Sequence, residues 1–301
     1  NDLMGEMKLR EMLEEYREVY LPARNLSERT REEYTNDLQD LVQFLEKNGK
    51  KRVEDVGLLD LERYLAELDR RGYAGSTRKR KTVTIRSLFS FLYSSGYITS
   101  NIANRLIPPL AEKDLPRVLT EREYQRLLEA CDNNKRDRAI IELLLQTGIR
   151  LSELTRLRIS DVELPAGSIG DVKEMGNLHV QNKRGGGSRQ LPLNDKVCRA
   201  IGEYLRFRPN SEDNVLFLNR FRNPLGQRGV QKLVKKHIDK ANIHGASVHT
   251  LRQTFATHHV AKGTSLRIIQ RALGYKDSRS TLIYVTLAQE MMERELQEHA
   301  L

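Results

Sequence analysis

Apolar positions recur along this chain at helical spacing. Between Thr30 and Lys47, Tyr34, Leu38, Leu41, Val42 and Leu45 fall at helical spacing, which predicts a helix with one buried face. Thr30 with Glu33 supplies a capping-box pair at its start. A second stripe, Leu61, Leu65 and Leu68, stops at Gly72, and a third, Ile85, Leu88, Phe91 and Leu92, stops near Gly96. Several short amphipathic helices in succession predict a small helical bundle. Ile107-Pro108-Pro109 and the charged run to Pro116 then break the pattern, because proline cannot continue a helix. The domain boundary is expected near residue 113, dividing the chain into 1–113 and 114–301.

Beyond it, Thr120 with Glu123 starts another capped helix, Arg138 to Gln146 reads as a buried helix, and Gly148 ends it. The period then changes. Leu178 to Gln181 and Arg189 to Leu193 flank Arg184-Gly185-Gly186-Gly187-Ser188, the signature of a hairpin with a glycine tip. Helical periodicity resumes over 194–207, 227–240, 249–262 and 265–273. The last fifteen residues predict an acidic helix with Leu287, Met291, Met292 and Leu296 on one side. The fold class is mainly α with a small β-sheet.

Composition narrows the classes of function. The 301 residues carry 51 Lys and Arg against 41 Asp and Glu, a net charge of +10, with 39% hydrophobic residues. The chain has enough apolar residues for a core, and it contains no stretch long and apolar enough for a membrane span. Two cysteines, Cys131 and Cys198, make no disulfide framework and no zinc motif; a reducing, cytoplasmic setting is the simpler expectation. The basic surplus raises the prior for a polyanionic partner, since each cation near a phosphate releases a counterion. Arg70 to Arg86 concentrates it: Arg70, Arg71, Arg78, Lys79, Arg80, Lys81 and Arg86 occur without one acidic residue. Such a run is either a solvated surface or a phosphate-contacting face.

Candidate chemistry gathers in the second half. Arg150 sits between a helix that ends at Gly148 and one that begins with Leu151-Ser152-Glu153. Its planar fork matches two phosphate oxygens; the plainer role is an ion pair with Glu153. His249 and Arg252, three apart, share a helix face. His244, His258 and His259 have no acidic partner at a ligand spacing, and no HExxH occurs. Tyr275 lies 23 residues after Arg252, and Tyr284 nine residues further. A free tyrosine ionises near pH 10 and is a poor nucleophile until cations stabilise its phenolate. Otherwise Tyr284 would be a core aromatic with a satisfied hydroxyl.

Taken in order, these boxes resemble the tyrosine recombinases, also called phage-type integrases. Thr147-Gly148-Ile149-Arg150-Leu151-Ser152-Glu153-Leu154 is similar to the family's first arginine box, His249-Thr250-Leu251-Arg252 to its HxLR box, and Leu273-Gly274-Tyr275 through Ile283-Tyr284 to its last two. Asn182-Lys183-Arg184 resembles the turn that carries the family's lysine. Tyr275 stands where the family usually has histidine or tryptophan, and Gln253 replaces a histidine that often follows the box arginine.

The resemblance implies a helical core-binding bundle followed by a mixed α/β catalytic domain. It also implies a site-specific recombinase of double-stranded DNA, acting in integration, excision or resolution, that needs no cofactor, metal or ATP. Tyr284 would form a 3′-phosphotyrosyl bond. Arg150 and Arg252 would hold the non-bridging oxygens, Lys183 would protonate the leaving 5′-oxygen, and His249 would accept the tyrosine proton or hydrogen-bond the phosphate, with Glu153 orienting Arg150. Tyr275 would contact the phosphate or pack beside it. Arg78, Lys79, Arg80, Lys81 and Arg86 would lie on DNA. The terminal helix would link protomers in a homotetramer on synapsed DNA. The leading 26 residues are too short for an added arm-binding domain, which favours a simple two-domain recombinase of prokaryotic or mobile-element origin. The competing expectations are a type IB topoisomerase-like enzyme, and an architectural or regulatory DNA-binding protein that lacks the reaction.

Overall fold

The structure is a computed structural model that describes residues 7–24, 26–109, 115–165, 175–181, 187–275 and 277–298. The expected boundary near residue 113 and Lys183 with its neighbours to 186 lie outside the described residues. The chain resolves into two compact units, Asn1–Asp114 and Leu115–Leu301.

The first unit is a helical bundle. Helix α1 (Leu9–Glu15) passes through a π-helical turn, Tyr16–Tyr20, into the short α2 (Leu21–Ala23). The bundle continues with α3 (Glu28–Lys47), α4 (Leu58–Arg70) and α5 (Gly75–Ser94). Leu38, Leu41 and Leu45 of α3 meet Leu61, Tyr64 and Leu68 of α4, Ile85, Leu88 and Leu92 of α5, and Leu9, Met12 and Tyr16 in one core. Helix α3 begins earlier than Thr30 predicts: the Ser27 hydroxyl accepts from the Thr30 backbone N–H at 3.2 Å, a cap that contributes about 1 kcal/mol. Helix α5 begins at Gly75, so most of the basic run is helical rather than loop.

In the second unit, the capping box of Thr120 and Glu123 opens α6 (Glu121–Ala130) as expected. Helix α7 (Lys135–Thr147) is the central rod: every residue from Ala139 to Leu145 is buried, including Glu142. Helices α8 (Leu151–Leu154), α9 (Asp195–Phe207), α10 (Gln227–Lys240), α11 (Val248–Ala261), α12 (Leu266–Leu273) and α13 (Ile283–Glu298) complete the helical layer. A buried hydrogen bond, His237 Nε2 with Asp137 Oδ2 at 2.9 Å, joins α10 to α7.

The sheet is antiparallel in the order β1 (Val162–Glu163), β2 (Gly176–Gln181), β3 (Ser188–Leu193). Its register pairs Leu178 with Leu191 and Gln181 with Ser188. Leu178, Val180, Leu191 and Leu193 face the core, the alternation a one-sided sheet requires. Strand β1 was not legible in the sequence, since two residues carry no period. Helix α13 divides along its length: Tyr284, Leu287 and Ala288 are buried, whereas Met292 and Leu296 are exposed. Among the described residues no helix is long and apolar enough to cross a membrane.

Candidate active site

Gly148 sets the first corner. It caps α7 at φ +60°, and a side chain there would strike Phe255 and Leu273, so only glycine fits. The turn sends Ile149 into the core and brings Arg150 out at the N-cap of α8 with 37% of its side chain exposed. One helical turn on, Glu153 reaches back. It accepts from the Arg150 backbone N–H at 2.8 Å and from Arg150 Nη1 at 3.1 Å.

Glu153 has a second cation, which sequence reasoning missed. Arg189, at the start of β3, donates to both Glu153 oxygens at 2.9 and 2.8 Å and to the Ala272 carbonyl at 2.9 Å. The strand position gave no hint, because β3 had to be registered against β2 before Arg189 could be aimed. Burial raises the pKa of the Glu153 carboxyl, but the Arg189 hydrogen bonds, the Arg150 N–H and both positive charges outweigh it, leaving the group below the ordinary carboxylate range.

Arg252 projects from α11 and is 5% exposed. Its guanidinium donates to the Gly148 carbonyl and, at 2.7 Å, to the Leu273 carbonyl. Arg150 Nη2 donates to the next carbonyl, Gly274, at 2.9 Å. Two consecutive backbone oxygens at the end of α12 therefore hold the two arginines. Gly274 adopts φ +64°, and a Cβ there would lie 3.0 Å from Arg189 Nη1 and 3.1 Å from Arg150 Nη1.

The turn then delivers Tyr275. Its ring centre lies 5.1 Å from the Arg252 guanidinium carbon and 5.6 Å from that of Arg150, and its hydroxyl is 3.1 Å from the hydroxyl of Tyr284. Burial raises the Tyr275 pKa, but its hydrogen bond with Tyr284 and the charges of Arg252 and Arg150 overcome this and lower it. Tyr284 moves upward, because it is buried and faces the oxygen that ionises first. His249 stands exposed near the start of α11. Partial desolvation, and then the charge of Arg252, hold its imidazole below the usual value. The structure thus brings together Arg150, Glu153, Arg252, Tyr275 and Tyr284, with His249 one helical turn from Arg252. For Lys183 it gives the paired strand ends, Gln181 and Ser188, between which that residue occurs in the chain. Among the described residues no three His, Cys, Asp or Glu side chains converge as a metal-ligand group.

The arrangement has counterparts among known proteins. Residues 117–291 match the model of the phage integrase family, and residues 13–96 match that of the phage integrase N-terminal SAM-like domain. The chain belongs to the phage integrase, or tyrosine recombinase, family. It is similar to a tyrosine recombinase XerC of Pelobacter propionicus, 36% identical over 269 residues that cover 87% of this chain and 85% of that protein. A XerC of Roseiflexus castenholzii is 31% identical over 294 residues, covering 94% and 90%. In fold it is similar to XerH site-specific recombinase bound to a palindromic difH substrate, with a TM-score of 0.76 at 22% identity over 94% of this chain and 83% of that one. It is also similar to a lambda integrase dimer bound to a COC′ core site, with a TM-score of 0.76 at 19% identity over 93% and 77%. Membership assigns the chain to the enzymes of site-specific DNA cleavage and rejoining.

In this recombinase the basic run of the first unit is largely engaged within the bundle. Lys81 is buried and pairs with Asp37 at 3.2 Å and Asp40 at 3.1 Å. Arg80 pairs with Asp37, Arg78 pairs with Asp69 at 2.8 Å, and Arg86 donates to the Leu106 carbonyl. Lys79 is exposed. A second basic face lies on α10 of the recombinase, where Arg228, Lys232, Lys235 and Lys236 are exposed opposite the buried Val230, Leu233, Val234 and Ile238. Its signal was present in the sequence as cations at i, i+4, i+7 and i+8.

Proposed function

We propose that this recombinase cleaves one strand of double-stranded DNA through attack by the Tyr284 oxygen on a scissile phosphodiester, leaving a 3′-phosphotyrosyl bond and a free 5′-hydroxyl. One observation carries the reading: two anchored guanidiniums, Arg150 and Arg252, flank the ring of Tyr275, whose hydroxyl is 3.1 Å from that of Tyr284. An anion between the arginines would meet that oxygen, and fixed cations are what a pentacovalent phosphorus requires. Arg150 and Arg252 hold the non-bridging oxygens, Glu153 and Arg189 orient Arg150, His249 hydrogen-bonds the phosphate, and Lys183 protonates the departing 5′-oxygen. The phosphotyrosyl bond stores the energy of the broken one, so the cycle runs without ATP, and no step in it calls for a metal.

A 5′-hydroxyl from a partner duplex then attacks the phosphotyrosine, which exchanges strands in integration, excision or resolution. The first domain binds the core site, with Lys79 and the partly exposed Arg78, Arg80 and Arg86 nearest the backbone, and the α10 face adds contacts from the catalytic domain. The working unit is a homotetramer on synapsed DNA, linked through α13, whose exposed Met292 and Leu296 suit a protein surface. Similarity in fold to a lambda integrase tetramer bound to a Holliday junction, with a TM-score of 0.75, supports this assembly.

Covalent capture tests the reading. The protein is incubated in EDTA with labelled fragments of its own genomic neighbourhood, denatured, and assayed for protein-linked DNA. Wild type should yield a linked species and Tyr284→Phe none. Tight binding without linkage in both would overturn catalysis on these fragments in favour of a DNA-binding role, and relaxation of plasmid lacking any particular site would favour a type IB topoisomerase.

A further inference from the structure

Every group near Tyr284 can be asked whether it could remove the hydroxyl proton. Among the described residues His249 makes no hydrogen bond to Tyr284; Tyr275 does, at 3.1 Å. Arg150 and Arg252 carry only donors. Tyr275 is also the group whose negative form the surroundings favour, since both guanidiniums lie within 6 Å of its ring centre.

We propose that Tyr275 is a catalytic residue that takes the proton of the Tyr284 hydroxyl during cleavage and returns it during rejoining. The proposal rests on Tyr284 being the nucleophile. In the forward direction the Tyr284 O–H bond breaks as its oxygen bonds to phosphorus, and the proton crosses to the Tyr275 phenolate, which becomes neutral phenol. The electron pair of the broken bond between phosphorus and the 5′-oxygen leaves with that oxygen, which Lys183 protonates. In the reverse direction the Tyr275 hydroxyl protonates the departing Tyr284 oxygen.

The charge balance of the site permits this. Arg150 and Arg189 pair with one carboxylate, Glu153, while Arg252 is held by the Gly148 and Leu273 carbonyls. That leaves an excess of two positive charges, enough for one phosphodiester anion and one phenolate together. The charged and titratable groups facing Tyr275 are Arg150 at the N-cap of α8, Arg252 on α11 and Tyr284 on α13. The lowered pKa of Tyr275 favours the phenolate form that acts as base, and the raised one of Tyr284 requires that its proton leave as the oxygen bonds to phosphorus rather than before.

The test uses the full chain and a nicked suicide duplex carrying the site recovered by covalent capture, with single-turnover cleavage followed against pH. Tyr275→Phe should cleave on the order of 100-fold more slowly, the usual weight of a general base, with DNA binding unchanged. Replacing Tyr275 by 3,5-difluorotyrosine, whose phenol is more acidic, should move the rising limb of the profile to lower pH. Tyr275→His should restore cleavage with a rising limb near the imidazole value of about 6.5. Without DNA, a near-ultraviolet titration of phenolate absorbance should show one early tyrosine in wild type and none in Tyr275→Phe, with a smaller shift in Tyr284→Phe, which loses the hydrogen bond but keeps the guanidiniums.

Wild-type cleavage by Tyr275→Phe would overturn the proposal. So would a slow Tyr275→Phe enzyme whose difluorotyrosine counterpart keeps the wild-type profile, since Tyr275 would then only position its neighbour. Covalent linkage surviving in Tyr284→Phe would instead overturn the assignment of the nucleophile, so the two failures are distinguishable.

Discussion

The two units of the molecule each bury a cluster of charge, and the clusters differ in balance. In the first unit Asp37, Asp40 and Glu67 are met by Lys81, Arg80 and Arg71, and the Tyr64 hydroxyl donates to Asp40 at 2.8 Å. Acids and bases match in number, three to three. In the second, Arg150 and Arg189 share the single carboxylate of Glu153, Arg252 is held by backbone carbonyls instead, and all three arginines donate to carbonyls at the end of α12. Uncompensated positive charge is costly to bury, so this cluster gains from the arrival of an anion. A matched cluster holds a fold, and an unmatched one holds a fold and awaits a substrate.

Breaking the matched cluster should cost stability most. Lys81→Met takes from Asp37 and Asp40 the buried cation they share and leaves them the more exposed Arg80 and Arg71; removing one partner of a buried ion pair typically costs about 3–5 kcal/mol. Thermal or urea unfolding of the full chain checks this, and an unchanged midpoint would contradict it. Arg252→Lys probes the other cluster. Lysine keeps the charge but cannot span the Gly148 and Leu273 carbonyls while presenting a planar edge to phosphate. Single-turnover cleavage should fall roughly 100-fold, or about 2.7 kcal/mol in the barrier, with a smaller shift in unfolding than Lys81→Met.

The mildest probe is acid. Because Glu153 titrates lower in the folded protein, its contribution to stability is complete above the unfolded value of about 4.3 and is lost as pH falls through the folded value. Asp40 in the first unit behaves in the same sense. Melting temperature should therefore be level near neutrality and decline in acid. Glu153→Gln, already less stable at pH 7, should show a shallower decline below about pH 4.5.

Much of this was readable from the sequence where a local rule decides. The capping box at Thr120, the stop at Gly148 and the hairpin around the glycine tip depend on residues a few positions apart. So do the spacings that pair Arg150 with Glu153 and His249 with Arg252. The first helix of the chain was also within reach, since Leu9, Met12, Leu13 and Tyr16 hold helical spacing. What escaped was long-range. Nothing local told that Lys81 would turn inward to acids some forty residues earlier, leaving Lys79 exposed between the partly buried Arg78 and Arg80. Nor could the sequence aim Arg189 at Glu153, 36 residues away, because that contact depends on the strand register and on the packing of α8. The same holds for the meeting of Tyr275 with Tyr284, which requires the turn after α12 to reverse the chain by the right amount.

The carbonyl anchors at Gly148, Leu273 and Gly274 have a consequence for how this site can vary over evolutionary time. A side-chain anchor is lost by a single codon change, but every amino acid carries a backbone oxygen. Substitution can therefore dislodge Arg150 and Arg252 from these carbonyls only by bending the path of the chain. At Gly274 the left-handed backbone and the 3.0 Å approach of Arg189 make even an added methyl group a bend of that kind. At Leu273 the oxygen survives replacement by any residue that still fills its buried space. A deep mutational scan of such a seat would be governed by shape, with intolerance at the two glycines and tolerance graded by volume at the leucine just before the second.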